Sequence, residues 1–188
     1  MTNSKKNLIK KSAISVFAKE GYYHTSVKQI AEKADVSVGT VYNYFANKEN
    51  ILEYIFEVEL KKRLGWLRKL REEKNSLKEQ FVEFMDRHFS ELESDPDTTA
   101  VLMQECRPPS HHELESIKEF GEQLPVLFAE MIEEAKESGE IKEIDSELIA
   151  TAIFEAFYGV SRKIYEKGYD FEKAKEEMVN FYWSGFKK

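Results

Sequence analysis

An all-α fold of about nine helices follows from three features of this sequence. Glycine and proline are scarce, eight and four in 188 residues, while Leu, Ile, Phe, Lys and Glu dominate, a balance that favours helices over turn-rich sandwiches and barrels. Apolar residues recur every three or four positions instead of alternating. Serines stand three residues before Gln or Glu where such stretches begin, and glycines stand where they end. The chain is 41% hydrophobic, enough for a real core, and no repeat or low-complexity tract interrupts it.

The elements follow in order. Ile9, Ala13, Val16 and Phe17 share one face of a first helix, about 4–20, which stops at Gly21. Ser26 and Gln29 form a capping box ahead of Val27, Ile30, Ala31 and Ala34, a helix of two turns. Asp35, Val36 and Ser37 break it, and Ser37 caps a third helix that turns Val41 and Phe45 inward. Two short helices joined by a three-residue turn, behind a longer supporting helix, have the spacing of a helix-turn-helix. Asn47 then caps a long fourth helix reaching Arg71.

Ser76 and Glu79 open the fifth helix, with the stripe Leu77, Phe81, Phe84, Met85, His88, Phe89 and Leu92, ending at Ser94-Asp95-Pro96-Asp97. A short helix from about Asp97 to Cys106 is stopped by Pro108-Pro109, and Ser110 with Glu113 opens another that runs to Ser138. Gly139 stops it, and Gly121 and Pro125 predict a bend midway. Asp145 to Lys167, closed by Gly168, and Asp170 to Phe186 complete the count.

The face of the third helix is unusual for a helix that only supports a core. With Val41 and Phe45 turned inward, Val38, Gly39, Thr40, Tyr42, Asn43 and Tyr44 point outward in place of Lys and Glu. Short and planar groups of this kind donate, accept or touch a thymine methyl, as a helix laid in the major groove must, and Gly39 permits close approach of the backbone. Charge supports the same reading. Residues 1–48 hold eight lysines against Glu20, Glu32 and Asp35, a balance of +5, whereas the other 140 residues carry −12. The basic end is the candidate for meeting phosphate, and the acidic body is expected to stay off it. Lys48 opposes the dipole of the fourth helix from its first turn, which a nearby phosphate would explain.

The stretch TSVKQIAEKADVSVGTVYNYFANKENIL resembles the DNA-binding region of the tetracycline-repressor (TetR) family, over residues 5–52. That resemblance implies an all-helical homodimer with a helix-turn-helix domain, here 1–48, and a ligand-binding and dimerisation domain, here 49–188. It also implies repression of a double-stranded palindromic operator, relieved by a small molecule. By position, Ser26, Lys28, Ser37, Val38, Thr40, Tyr42, Asn43, Tyr44 and Lys48 match family positions that touch phosphate or bases. Asp35 stands where the family usually has glycine, so its turn is expected to be left-handed and slightly strained. Val38 stands where many members carry a basic or polar residue, which removes a possible phosphate contact.

In the acidic body, Trp66, Phe81, Phe84, Met85, Phe89, Met103, Phe128, Met131, Phe154, Phe157 and Tyr158 read either as filled core or, with the family's expected cavity, as the lining of a site for an apolar effector. HFSELESDPDTTAVLMQECR, His88 to Arg107, is similar to the branch of the family that responds to fatty acyl-CoA, where Arg107 or Arg162 would meet the headgroup. The wide apolar faces of the last two helices suit a four-helix homodimer interface, built from Ile149, Ala152, Ile153, Ala156, Phe157, Val160 and Ile164 with Ala174, Met178, Phe181, Tyr182 and Phe186.

Other classes fit less well. No segment approaches the roughly 18 apolar residues of a membrane span, and the N-terminus lacks an apolar signal core, so a cytoplasmic protein is expected. Cys106, the lone cysteine, reads as a small buried hydrophobe. His111, His112 and Glu113 lack the spacing of metal ligands, and no phosphate loop or nucleophile elbow is present, so neither cofactor nor enzyme activity is expected. Two alternatives keep the DNA-binding head. One is a regulator of cationic aromatic compounds, contacted by Glu105, Glu130 and Glu155; the other is a constitutive DNA-binding adaptor whose acidic body holds a protein partner.

Overall fold

A computed structural model describes residues 2–73, 75–105 and 114–186. Among them run nine helices: α1 (Thr2–Glu20), α2 (Val27–Lys33), α3 (Val38–Tyr42), α4 (Lys48–Glu72), α5 (Leu77–Ser94), α6 (Pro96–Glu105), α7 (Glu115–Glu137), α8 (Ser146–Lys167) and α9 (Phe171–Phe186).

Their ends are set by the side chains that the sequence places there. Ser26 and Gln29 make the reciprocal capping box of α2, with Ser26 N donating to Gln29 Oε1 over 2.7 Å. Ser76 and Glu79 make another at α5. Asn47, Asp145 and Asp170 accept the backbone N–H groups of Asn50, Leu148 and Lys173. Gly21, Gly139 and Gly168 lie at positive φ just beyond α1, α7 and α8, where a side chain would be strained. α6 begins one residue before the expected Asp97, because Pro96 suits the first helical position and Asp95 is the cap: its carboxylate accepts Thr98 N over 3.0 Å and Thr98 Oγ1 over 2.7 Å. Cys106, the proline pair and the Ser110 and Glu113 cap lie outside the described residues, as do His111 and His112.

The chain forms two compact units, Met1–Glu59 with Asp95–Phe120, and Leu60–Ser94 with Gly121–Lys188. The expected division after residue 48 falls at the first turn of α4, whereas the units part within α4 at Glu59 and within α7 at Phe120. In the first unit, Ile9, Ala13, Ile14 and Phe17 of α1 are buried together with Ile30 and Ala31 of α2, Val41 and Phe45. α6 packs along α1, and Phe56 meets Phe120 edge-on with centroids 5.5 Å apart. In the second, the leucines at 60, 64, 67 and 70 of α4 are buried along with Phe81, Phe84 and Met85 of α5, Phe128 and Met131 of α7, and Phe154 and Phe157 of α8. α9 packs on α5 and α8.

Asp35 is the one described non-glycine residue at positive φ, 51°. The expected left-handed turn is present, closed by Asp35 N to Glu32 O (3.2 Å) and Val36 N to Ala31 O (3.0 Å). Asp35→Gly relieves the strain at the cost of a more flexible unfolded chain, so the net effect should be neutral or stabilising by up to about 1 kcal/mol. Chemical denaturation of the two forms measures it; a loss larger than that would show that the Asp35 carboxylate makes a stabilising bond of its own.

Candidate nucleic-acid interface and effector core

α3 is only five residues long, and its conformation is imposed from both ends. Ser37 Oγ accepts Thr40 N over 3.0 Å and shares a 2.8 Å hydrogen bond with Thr40 Oγ1, while Val41 and Phe45 are 1% and 4% exposed. This anchoring leaves Val38, Gly39, Tyr42 and Asn43 exposed, with Thr40 and Tyr44 half-buried. A Cβ added at Gly39 would meet only Ser37 Oγ, at 3.8 Å, so packing within the protein does not require glycine there.

The other sequence-identified positions of the head are partly committed. Ser26 serves the α2 cap, and exposed Lys28 lies 3.9 Å from Glu32 on the next turn, a weak surface pair. Lys48 differs most from expectation. Its Nζ donates to Tyr22 O (2.6 Å) and Thr25 O (2.8 Å) and lies 4.2 Å from the Tyr22 ring centroid. Burial lowers the pKa of this ammonium, against the raising effect of Glu49 and then Glu105. Burial likewise raises the Tyr22 phenol, with Glu49 and Glu105 adding to it.

In the second unit, Phe81, Phe84, Met85, Phe89, Phe128, Met131, Phe154 and Phe157 are all buried. Their rings pack on one another, Phe81 on Phe128 at 5.5 Å, Phe128 on Phe154 at 5.8 Å and Phe89 on Phe157 at 5.1 Å. Tyr158 is half-buried. Met103 is half-buried too but belongs to the first unit, Arg162 is exposed on α8, and Arg107 lies outside the described residues. The three acidic residues considered for a cationic ligand are scattered: Glu105 is buried in the first unit, Glu155 is exposed, and Glu130 is exposed and paired with Arg71 at 2.5 Å.

Within this aromatic core runs a polar chain. Arg63 is 2% exposed, and its Nε donates to His88 Nδ1 over 3.3 Å. A guanidinium only donates, so Nδ1 accepts and the ring proton sits on Nε2, facing Ser161 Oγ at 3.4 Å. His88 was placed on the apolar stripe of α5 from sequence; Arg63 and Ser161 were not singled out. The available signal was spacing, since Arg63 falls in register with Phe56, Leu60, Leu67 and Leu70 on the apolar face of α4. Glu59 and Glu105, expected on solvated faces, are buried as well, 5% and 6% exposed.

The model for bacterial regulatory proteins of the tetR family matches residues 9–55, and that for the tetracyclin repressor-like C-terminal domain matches 74–168. The chain belongs to the TetR family. It is therefore a transcriptional regulator with a helix-turn-helix head and a ligand-binding body, and not an enzyme. The fatty acid metabolism regulator protein of Bacillus subtilis (strain 168) is 32% identical over 144 residues, 76% of this chain and 74% of that one. Among solved structures, the fatty acid degradation regulator FadR from Bacillus halodurans matches with a TM-score of 0.84 at 28% identity, over 93% of this chain and 96% of that one. FadR from Bacillus subtilis, solved in complex with stearoyl-CoA, matches with a TM-score of 0.83, the same identity and the same coverage.

Burial, and then the charges of Arg63 and Lys62, hold His88 well below the ordinary imidazole value. The unfolded chain therefore takes up a proton near pH 6.5 that the folded chain refuses. The stability from neutral His88 is complete above about pH 7 and is lost as the pH falls below about 6.5, by up to about 1.4 kcal/mol per pH unit. Urea unfolding at about pH 7.5, 6.5 and 5.5 should show this slope, and His88→Gln should flatten it; equal slopes in the two proteins would assign the titration to another group.

Proposed function

We propose that this TetR regulator is a cytoplasmic repressor that binds a palindromic operator as a homodimer and is released by a long-chain fatty acyl-CoA. The observation that carries the effector class is the likeness, over nearly the whole chain, to a FadR solved with stearoyl-CoA. The deeply apolar second unit is consistent with it, since the acyl chain would replace ring-to-ring contacts with ring-to-methylene contacts of similar energy. Phe81, Phe84, Met85, Phe89, Phe128, Met131, Phe154, Phe157 and Tyr158 are the residues offered to it, with Arg162 as a further candidate.

On the operator, Val38, Gly39, Thr40, Tyr42, Asn43 and Tyr44 read the major groove, and Ser26, Lys28 and Ser37 meet the backbone. Two copies join through α8 and α9, where Leu148 and Phe181 are 63% and 73% exposed and Tyr182 remains half-buried. The two recognition helices then lie about one DNA turn, roughly 34 to 36 Å, apart. No helix among the described residues is long and apolar enough to cross a membrane.

Release requires the effector to favour the DNA-free state. A hundredfold loss of operator affinity corresponds to about 2.7 kcal/mol of differential binding. Fluorescence anisotropy on an operator duplex selected by the protein itself provides the test: stearoyl-CoA at micromolar levels should release the DNA, CoA without the chain should do much less, and Tyr42→Ala should weaken the complex without lowering thermal stability. Release by a cationic aromatic compound and not by stearoyl-CoA would overturn the effector assignment.

A further inference from the structure

Lys48 stands where the loop between α1 and α2 meets the first turn of α4. An ammonium carries three N–H donors, and two of these go to the Tyr22 and Thr25 carbonyls while the Tyr22 ring covers the group from 4.2 Å. A cation in the first turn of a helix needs negative partners to offset the dipole, and the two carbonyl oxygens supply them inside the protein. Phosphate is no longer needed to explain the residue.

The carbonyls are informatively placed. Thr25 immediately precedes Ser26, the N-cap of α2, and its Oγ1 closes the loop onto Gly21 O over 2.8 Å. Tyr22 is 4% exposed and packs on Phe17 of α1 with centroids 5.3 Å apart. The Lys48 ammonium thus ties the origin of α4 to the point where α2 begins. α2 leads through the short Asp35 turn into α3, so the tie reaches Val38 and Tyr42. Glu105, the last residue of α6, is buried in the same unit, and burial pushes its carboxyl above the ordinary carboxylate range, against the lowering effect of Lys48.

We infer that Lys48 is a positioning residue, and not a phosphate ligand: its ammonium, bonded to the Tyr22 and Thr25 carbonyls, holds the start of α2 and so sets the angle at which α3 meets DNA. The inference rests on the operator binding proposed above and corrects the role that the sequence assigns to Lys48.

Anisotropy titrations of the selected duplex at several salt concentrations separate the two roles, using Lys48→Met, Lys48→Gln and Lys48→Arg at a temperature where circular dichroism shows each folded. A positioning residue predicts that Lys48→Met weakens binding by about tenfold or more with the slope of log K against log salt unchanged, and that Lys48→Arg, which keeps donors for both carbonyls, recovers part of the loss. A slope shallower by about 0.9 in Lys48→Met would make Lys48 a phosphate ligand and overturn the inference. If Lys48→Met does not fold, Lys48→Gln, which removes the charge and keeps an N–H donor, is read by the same slope. Failure of the wild-type protein to select any duplex would instead overturn the operator reading.

Discussion

A helix of five residues does not form by itself in water, because nucleation costs more than so few hydrogen bonds return. α3 is that short, and it carries the face proposed above to read DNA. Its shape is therefore imposed by the rest of the first unit: Ser37 fixes one end, Val41 and Phe45 are sunk in the core beside α1 and α2, and Asp35 accepts a left-handed backbone so that the chain can reverse in three residues. The exposed residues follow from this anchoring. Tyr42 at 52% and Val38 at 37% exposed are outside because their neighbours are held inside.

The second constraint is charge kept out of water. Lys48, Arg63, His88 and Glu105 are each wholly or partly buried, where an uncompensated charge is costly. The protein meets the cost differently at each. Lys48 is satisfied by carbonyls, His88 is held neutral, Arg63 donates to His88, and burial pushes the Glu105 carboxyl towards its neutral form. α4 carries two of these groups and contributes Ile51, Leu52, Ile55 and Phe56 to the first unit and the leucines from 60 to 70 to the second.

Most of the fold was legible because its signals are local. Capping boxes join residues three apart, positive-φ glycines mark helix ends, and the Asp35 turn shows as a break between two short amphipathic runs. Most helix ends agreed to within a residue or two, and Pro96 shifted α6 because a proline that ends one helix also starts the next. α7, however, begins at Glu115, later than the Ser110 cap places it, and α3 stops at Tyr42, short of Phe45. The outer face of α3 was legible for the same reason: removing Val41 and Phe45 from the surface leaves the others exposed or half-buried by geometry alone. Contacts between distant segments were not. Lys48 meets Tyr22 across 26 residues and His88 meets Ser161 across 73, and no periodicity in either segment announces the partner. The aromatic residues of the body were correctly read as apolar, but composition does not separate a packed core from the walls of a ligand site.

The central claim is that operator and long-chain acyl-CoA compete for two states of one regulator. Native mass spectrometry of the protein with its selected duplex and increasing stearoyl-CoA observes the species directly. The account predicts a DNA-bound dimer without ligand, a ligand-bound dimer without DNA, and little of the ternary species, because coupling of about 2.7 kcal/mol leaves the doubly bound form a hundredfold disfavoured. A ternary complex that accumulates as both sites saturate would contradict it.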